Sequence, residues 1–209
     1  IFKEFVNHPD SDPLHIAERM NVIQESDEDS ISVFVQEVIS KYPDKVAEYR
    51  SGKTGLLGMF MGDLMKLAIE TDSTRIISLF IDTTVIHNIT HHGGRPEVIA
   101  ELRGHEEGQF RVLDKFLGSL RQAKEGGADL LERTQVLYGT CMGSANSHSN
   151  TNLPVLLAGG GFRHGQHLAF DSANNHNLAT LYVSMLQRLG IEAGSFASAK
   201  STMRGLEMA

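Results

Sequence analysis

The chain has 209 residues, of which 41% are hydrophobic and 22% charged, and its formal net charge at pH 7 is −7. These values suit a globular protein of one large or two small domains, and the negative charge argues against broad attraction to nucleic acid. No apolar run approaches the roughly 20 residues that span a bilayer, so we expect no membrane partner. Cys141 is the single cysteine, which excludes an intramolecular disulfide. Oligomeric state stays open.

Residues 1–66 carry a helical pattern that is interrupted by helix-breaking residues. Ser26 and Thr54 are predicted to cap helices, and Tyr42-Pro43-Asp44 ends one helix and caps the next. The predicted helices lie at about 13–20, 27–39, 45–50 and 55–65. The segment therefore predicts a small helical bundle, for which a purely interacting role is one interpretation.

A longer motif sharpens this interpretation. Lys41-Tyr-Pro-Asp-Lys-Val-Ala-Glu-Tyr-Arg-Ser-Gly-Lys53 is followed by Gly58-Met-Phe-Met-Gly-Asp-Leu-Met-Lys66. Together with Ile16-Ala-Glu-Arg19 and Val22-Ile-Gln-Glu-Ser-Asp-Glu28, these segments resemble the helical tail of the B subunit of tRNA-dependent Asp/Glu amidotransferase, the GatB/YqeY domain. In that family the tail contacts tRNA and the ligase chemistry lies in other domains. The resemblance implies a noncatalytic module with tRNA and amidotransferase subunits as partners, in the cytoplasm.

Phosphate contacts dominate nucleic-acid affinity, so the basic residues of this motif are the candidate nucleic-acid-binding residues. They are Lys41, Lys45, Arg50 and Lys53. Acidic residues outnumber basic ones by 12 to 7 in residues 1–66, and Asp44 and Glu48 lie among these cations. The alternative interpretation is therefore a solvated charged face. The family's last helix, after Met65-Lys66, is absent.

Beyond Lys66, predicted strands and helices alternate. Strands are predicted at 75–81, 134–140, 154–158 and 167–170. One helix is predicted from Pro96 to a stop at Gly126-Gly127, and another from an Asn177 cap to Gly190. This order predicts an α/β layer of about three to four strands flanked by helices. The expected fold is a two-part α+β or α/β chain, with a helical module at 1–66 and an α/β domain at 67–209.

Histidines cluster in this second part. His87-Asn-Ile-Thr-His-His-Gly-Gly94 holds three imidazoles, and imidazole is the commonest metal ligand. We expect this loop to meet the serine- and asparagine-rich loop around His148, and the loop containing His164 and His167, at one sheet edge. The candidate cofactor is a divalent metal, although a lone histidine more often has a structural role. The candidate ligands are His87, His91, His92, His148 and Asp72, with Asp82 as a further carboxylate.

These loops carry a second resemblance. His87-x-x-Thr-His-His92, Ser144-Ala-Asn-Ser-His-Ser-Asn150 and Asn152-Leu-Pro-Val-Leu-Leu-Ala-Gly-Gly-Gly161 resemble the HxxSHH-motif family, with Thr90 in place of the serine. That family has no characterised function and occurs in bacterial proteins that are often exported. Its strand and loop pattern is similar to that of alkaline-phosphatase-like hydrolases, whose nucleophile and some metal carboxylates come from an N-terminal half absent here. The resemblance implies a metal-dependent, hydrolase-like domain without a complete catalytic site.

The two resemblances meet within Gly62 to Leu67. One family works on tRNA inside the cell and the other is often exported, so a functional fusion is hard to motivate. We interpret the junction as a recombined or misassembled reading frame. The chain also begins at Ile1 rather than Met, which predicts a fragment of a longer protein.

Overall fold

A computed structural model describes residues 12, 15, 19, 28–74, 76–81, 86–171 and 173–206. The chain divides into two compact units, Ile1–Leu79 and Phe80–Ala209. Helices and a small amount of sheet make up the fold, as the mixed fold class predicts. The predicted helix at 13–20 and the predicted cap at Ser26 lie outside the described residues, apart from positions 15 and 19.

The first unit is helical. Its elements are helix α1 (Glu28–Ser40), helix α2 (Pro43–Arg50), a 3-10 turn (Thr54–Leu56) and helix α3 (Leu57–Glu70). Pro43 occupies the first turn of α2, where its missing N–H costs no hydrogen bond. The predicted Thr54 cap is wrong, because Thr54 begins the 3-10 turn and α3 starts at Leu57 without a side-chain cap. Helix α3 continues past Lys66 to Glu70.

Helices α1 and α3 pack together and bury a small apolar core. Val38 is 2% exposed and Phe60 is 9% exposed, and the ring of Tyr49 meets Phe60 edge-on at 6.1 Å. A hydrogen bond between Tyr42 and the Asp63 carboxylate raises the pKa of the Tyr42 hydroxyl, and burial and the Asp63 charge raise it further. These contacts join the start of α2 to α3, which agrees with the predicted helical bundle.

The second unit mixes helices and strands. In chain order they are α4 (His87–Thr90), α5 (Pro96–Gln122), β1 (Lys124–Glu125), β2 (Ala128–Asp129), α6 (Leu130–Arg133), β3 (Gln135–Gly139), β4 (Val155–Gly159) and α7 (Ala179–Arg188). The predicted helices are confirmed: Pro96 opens α5, and the Asn177 side chain accepts a hydrogen bond from Ala179 N–H where α7 begins. Within the described ranges, no helix is both long and apolar enough to cross a membrane.

Two predicted strands form and pair with each other. Strands β3 and β4 run antiparallel, with Gln135 opposite Gly159 and Gly139 opposite Val155. The residues between them, including His148, therefore form the connection of a long hairpin. Gly126 and Gly127 both have positive φ and turn the chain between β1 and β2, so they make a second, short hairpin where only a helix stop was predicted.

The other two predicted strands are wrong. The described part of the first, 76–81, forms no strand, and neither does 167–170. Ile76 is 78% exposed and Phe80 is 87% exposed, although the segment is apolar and β-branched. Such composition favours a strand only where a neighbouring strand accepts its hydrogen bonds and a core covers its side chains. Neither condition follows from local sequence.

Hydrogen bonds to α5 and α7 hold the β3–β4 hairpin. The Tyr138 hydroxyl donates a hydrogen bond to Gln109 Oε1 on α5 at 3.0 Å. Burial raises the pKa of this hydroxyl. At the other end of β3, Gln135 Nε2 donates to Met185 O at 3.1 Å, and the Arg188 guanidinium donates to Gly160 O. The most buried apolar residues of the unit are Leu120, Leu130, Phe162, Leu181, Val183 and Ala199.

Candidate functional site

Two histidines from separate segments face each other in the second unit. His91 follows helix α4 and His148 lies in the β3–β4 connection, and their Nε2 atoms are 3.0 Å apart. Their ring centroids lie 4.7 Å apart at an interplanar angle of 78°. His87 lies four residues before His91, which brings it to the same face of the helical turn, and its ring is 4.9 Å from that of His91.

A hydrogen bond from backbone to side chain docks the two loops against each other. Gly93 N–H donates a hydrogen bond to Asn146 Oδ1 at 3.0 Å, across 53 positions of sequence. Within the first of these loops, the Thr90 hydroxyl donates a hydrogen bond to His87 O at 2.7 Å and so closes the helical turn. The predicted meeting of these two loops is therefore confirmed. Sequence reasoning did not identify Asn146, whose side chain accepts a hydrogen bond from the backbone of the other loop.

The loop that carries His148 has little conformational freedom. Gly143 N–H and Ser144 N–H both donate to Ser149 O, and Ser149 N–H donates back to Ser144 O at 3.0 Å. A Cβ atom at Gly143 would lie 1.9 Å from Thr151 O, so the loop closes only on glycine. His148 has a φ of +53°, in the left-handed region that costs a non-glycine residue of order 1–3 kcal/mol. This tight loop presents the imidazole.

The remaining predicted ligands have different surroundings. His92 Nδ1 accepts a hydrogen bond from Gly94 N–H at 3.0 Å. Asp72 belongs to the other compact unit, and Asp82 lies outside the described residues. Throughout the described ranges, no three histidine, cysteine, aspartate or glutamate side chains are grouped so that they could hold one metal ion.

The described contact of the third loop is with the end of β4. His164 Nε2 lies 2.9 Å from Gly159 O, so the expected meeting of this loop with the other two stays a prediction. A later segment reaches the His148 loop, since Asn175 Nδ2 donates to Asn152 Oδ1 at 2.6 Å. Both asparagines lie in polar stretches without periodicity, and no sequence signal pairs them.

The predicted nucleic-acid-binding residues lie on and around helix α2. Lys45 and Lys53 each place Nζ 2.6 Å from a different oxygen of Glu48. The hydrogen bond from Lys45 has the larger effect and the one from Lys53 the smaller. Together they lower the pKa of the Glu48 carboxyl group to about 2. Lys41 Nζ lies 3.1 Å from Glu37 Oε1. Arg50 is exposed and has no ion pair with any residue that the structure describes.

Comparison with known proteins concerns the first part of the chain. Residues 1–71 match the model of the GatB domain family. The B subunit of aspartyl/glutamyl-tRNA(Asn/Gln) amidotransferase from Salinibacter ruber is 38% identical over 66 residues, which are 32% of this chain and 13% of that protein. The protein of the same name from Chlorobium chlorochromatii is 40% identical over 65 residues, 31% of this chain and 14% of the relative.

The similarity is partial on both sides. The corresponding B subunit from Anaplasma marginale is 45% identical over 51 residues, which are 24% of this chain and 10% of that protein. The chain thus spans only about an eighth of the length of the curated relatives it matches. No solved structure matches the chain. Residues 1–71 therefore match the GatB domain and are similar to part of the amidotransferase B subunits.

Proposed function

We propose that residues 1–71 act as a noncatalytic accessory domain that binds tRNA and associates with amidotransferase subunits. The observation that carries this proposal is the match to the GatB domain family, whose matched relatives are named as tRNA amidotransferase subunits. The cations of helix α2 support it, because the side chains of Lys41 and Lys53 are 50% and 64% exposed and can reach phosphate oxygens.

Glu48 should moderate this affinity. Its carboxylate accepts hydrogen bonds from Lys45 and Lys53, which are two of the four candidate cations. The tRNA phosphates must therefore compete with this carboxylate for the two ammonium groups. Arg50 offers a planar guanidinium, which suits two-point contact with phosphate. We therefore expect weak, strongly salt-dependent binding in which Arg50 contributes most.

The test is a titration of fluorescently labelled tRNA with the full chain at several salt concentrations. Three or four phosphate contacts predict a slope of log K against log salt of about −2 to −4. Lys45→Gln, Arg50→Gln and Lys53→Gln should each weaken binding and make the slope shallower by about one. Lys115→Gln, on helix α5 of the other unit, makes the same charge change and should bind as the parent does. Equal loss in all four variants, or no binding at low salt, would overturn the proposal.

A second candidate function concerns residues 67–209, which we propose as an HxxSHH-type, metal-dependent, hydrolase-like domain. The contact between His91 and His148 favours this function, because two imidazoles that lie close enough to bind the same ion are a common element of metal-assisted hydrolysis sites. The test is metal-dependent release of nitrophenol from p-nitrophenyl phosphate and p-nitrophenyl sulfate, activated esters that demand little of a site. Turnover that disappears in His91→Asn supports this function, and no turnover with any metal refutes it.

A further inference from the structure

We propose that His91 and His148 form a two-imidazole clip that binds one Zn²⁺, Ni²⁺ or Cu²⁺ ion through their Nε2 atoms. The clip takes its ligands from the site of the second candidate function and rests on that proposal, but it requires binding alone and no hydrolysis. The ion would bridge the segment 87–94 to the β3–β4 connection.

The distance between the two nitrogens fits one shared ion. Metal–imidazole bonds are about 2.0–2.1 Å long, so two nitrogens that subtend about 90–110° at one ion lie about 2.9–3.4 Å apart. The observed separation of His91 Nε2 and His148 Nε2 is 3.0 Å. A direct N–H···N hydrogen bond between two neutral rings has a similar length, and the experiment below separates the two.

The neighbouring histidines have other roles. In a neutral His92 ring, Nδ1 accepts the Gly94 N–H, so the ring proton sits on Nε2 and leaves that nitrogen no lone pair for a metal. His87 packs edge-on against His91 and limits the orientations of its ring. Water would complete the coordination sphere, because His148 is exposed.

The conformation of the loop is an independent argument for a specific role of His148. Its φ of +53° stores strain, and Gly143 is required for the loop to close behind it. Asparagine tolerates positive φ as well as histidine does, so backbone conformation alone gives no reason for an imidazole at this position. A ligand that needs a nitrogen lone pair gives such a reason.

Imidazole ligands also define the class of ion. They select Zn²⁺, Ni²⁺ and Cu²⁺ over Mg²⁺ and Ca²⁺, which prefer oxygen. An ion that binds only the folded state stabilises it, so saturating Zn²⁺ should raise the melting temperature of the chain by several degrees.

The experiment titrates the chelator-treated full chain with ZnCl₂, NiCl₂ and MgCl₂ by isothermal calorimetry. We expect one Zn²⁺ or Ni²⁺ per chain and no Mg²⁺ at the same concentrations. His91→Asn and His148→Asn should each weaken Zn²⁺ binding at least tenfold, and His148→Asn keeps a residue that tolerates positive φ. The matched control is His105→Asn, an exposed histidine of helix α5, which should bind as the parent does.

Absence of Zn²⁺ binding would overturn the proposal. The contact between His91 and His148 would then be explained by the N–H···N hydrogen bond. Binding that survives both substitutions, or that falls equally in His105→Asn, would also overturn it. A measurement on the unsubstituted chain guards against misfolded variants: Zn²⁺ should shift the imidazole Hε1 and Hδ2 resonances of His91 and His148, and shifts at another pair refute the clip. Zn²⁺ binding without ester hydrolysis would leave the clip intact and remove only the hydrolase.

Discussion

His91 and His148 lie 57 positions apart in the sequence, and their Nε2 atoms lie 3.0 Å apart in the fold. The contact joins a helical turn to the connection between β3 and β4. The two segments are far apart in the chain, so no local chain geometry fixes the distance between the two imidazoles. Their relative position depends on the docking of the two loops, for which the hydrogen bond from Gly93 N–H to Asn146 Oδ1 is the most direct support. A substitution at that bond should therefore alter the histidine pair without changing either ring.

Asn146→Ala should weaken Zn²⁺ binding about two- to twelvefold. Loss of one hydrogen bond of this kind costs about 0.5–1.5 kcal/mol, and about 1.4 kcal/mol is a factor of ten in affinity. Calorimetric titration of the variant measures the change. Asn150→Ala, in the same loop, is the control and should leave the affinity close to that of the parent. Unchanged binding in Asn146→Ala would show that the imidazoles keep their separation without this bond.

Glu48→Gln should increase the affinity for tRNA. The substitution removes a negative charge and releases Lys45 and Lys53, whose Nζ atoms lie 2.6 Å from the carboxylate. The salt slope should change little, because the same cations meet phosphates in both proteins and only the competing carboxylate is lost. Glu107→Gln breaks a single ion pair with Arg111 on helix α5 and serves as the charge-matched control. Equal affinities in the parent and Glu48→Gln would place Lys45 and Lys53 outside the tRNA interface.

The contribution of Glu48 to stability should depend on pH. Its pKa falls from 4.5 to about 2 in the folded chain, so its contribution is complete above about pH 4.5. It is lost as the pH falls through about 2, because the carboxylate is fully protonated in both states only below that pH. Melting temperatures of the parent and Glu48→Gln should differ at pH 7 and converge below about pH 2. The difference should be small because the ion pairs are exposed, and high salt should reduce it. A difference that grows with acidity would contradict this assignment.

Leu120→Ala should destabilise the second unit by about 2–5 kcal/mol. Leu120 is fully buried at the end of helix α5, and truncation removes its contacts and leaves a cavity. Leu189→Ala is the matched control, because Leu189 is 58% exposed and its truncation should cost less than about 0.5 kcal/mol. Urea unfolding monitored by circular dichroism measures both. Equal costs would show that the end of α5 is not part of the core.

The predictions from sequence succeeded where local signals decide the structure. Pro43, Pro96 and Asn177 mark helix starts because a fixed φ or a side-chain acceptor acts within a few residues. The meeting of the His91 and His148 loops was also predicted, from the expectation that loops gather at one sheet edge. The sheet itself differs from that expectation, since β3 and β4 form an antiparallel hairpin whose connection carries His148.

Predictions failed where the local structure depends on residues that are distant in the sequence. The segment 76–81 has the composition of a buried strand, yet Phe80 is 87% exposed. The ion pairs of Glu48 needed the path of the chain around Ser51 and Gly52 to return Lys53 to the carboxylate. In each case the sequence supplied the chemical groups but not their neighbours.

By itself, the sequence determined the longer helices of both units, the similarity of residues 1–71 to the GatB domain and the enrichment of imidazoles after Ile86. These properties depend on periodicity, capping and residue identity, all of which act over a few positions. Only the tertiary structure decided which strands pair and which of the histidines His87, His91, His92 and His148 come within 3.0 Å of each other. Hydrogen bonds between strands and loops join residues far apart in the chain, and their geometry exists only once the fold has formed.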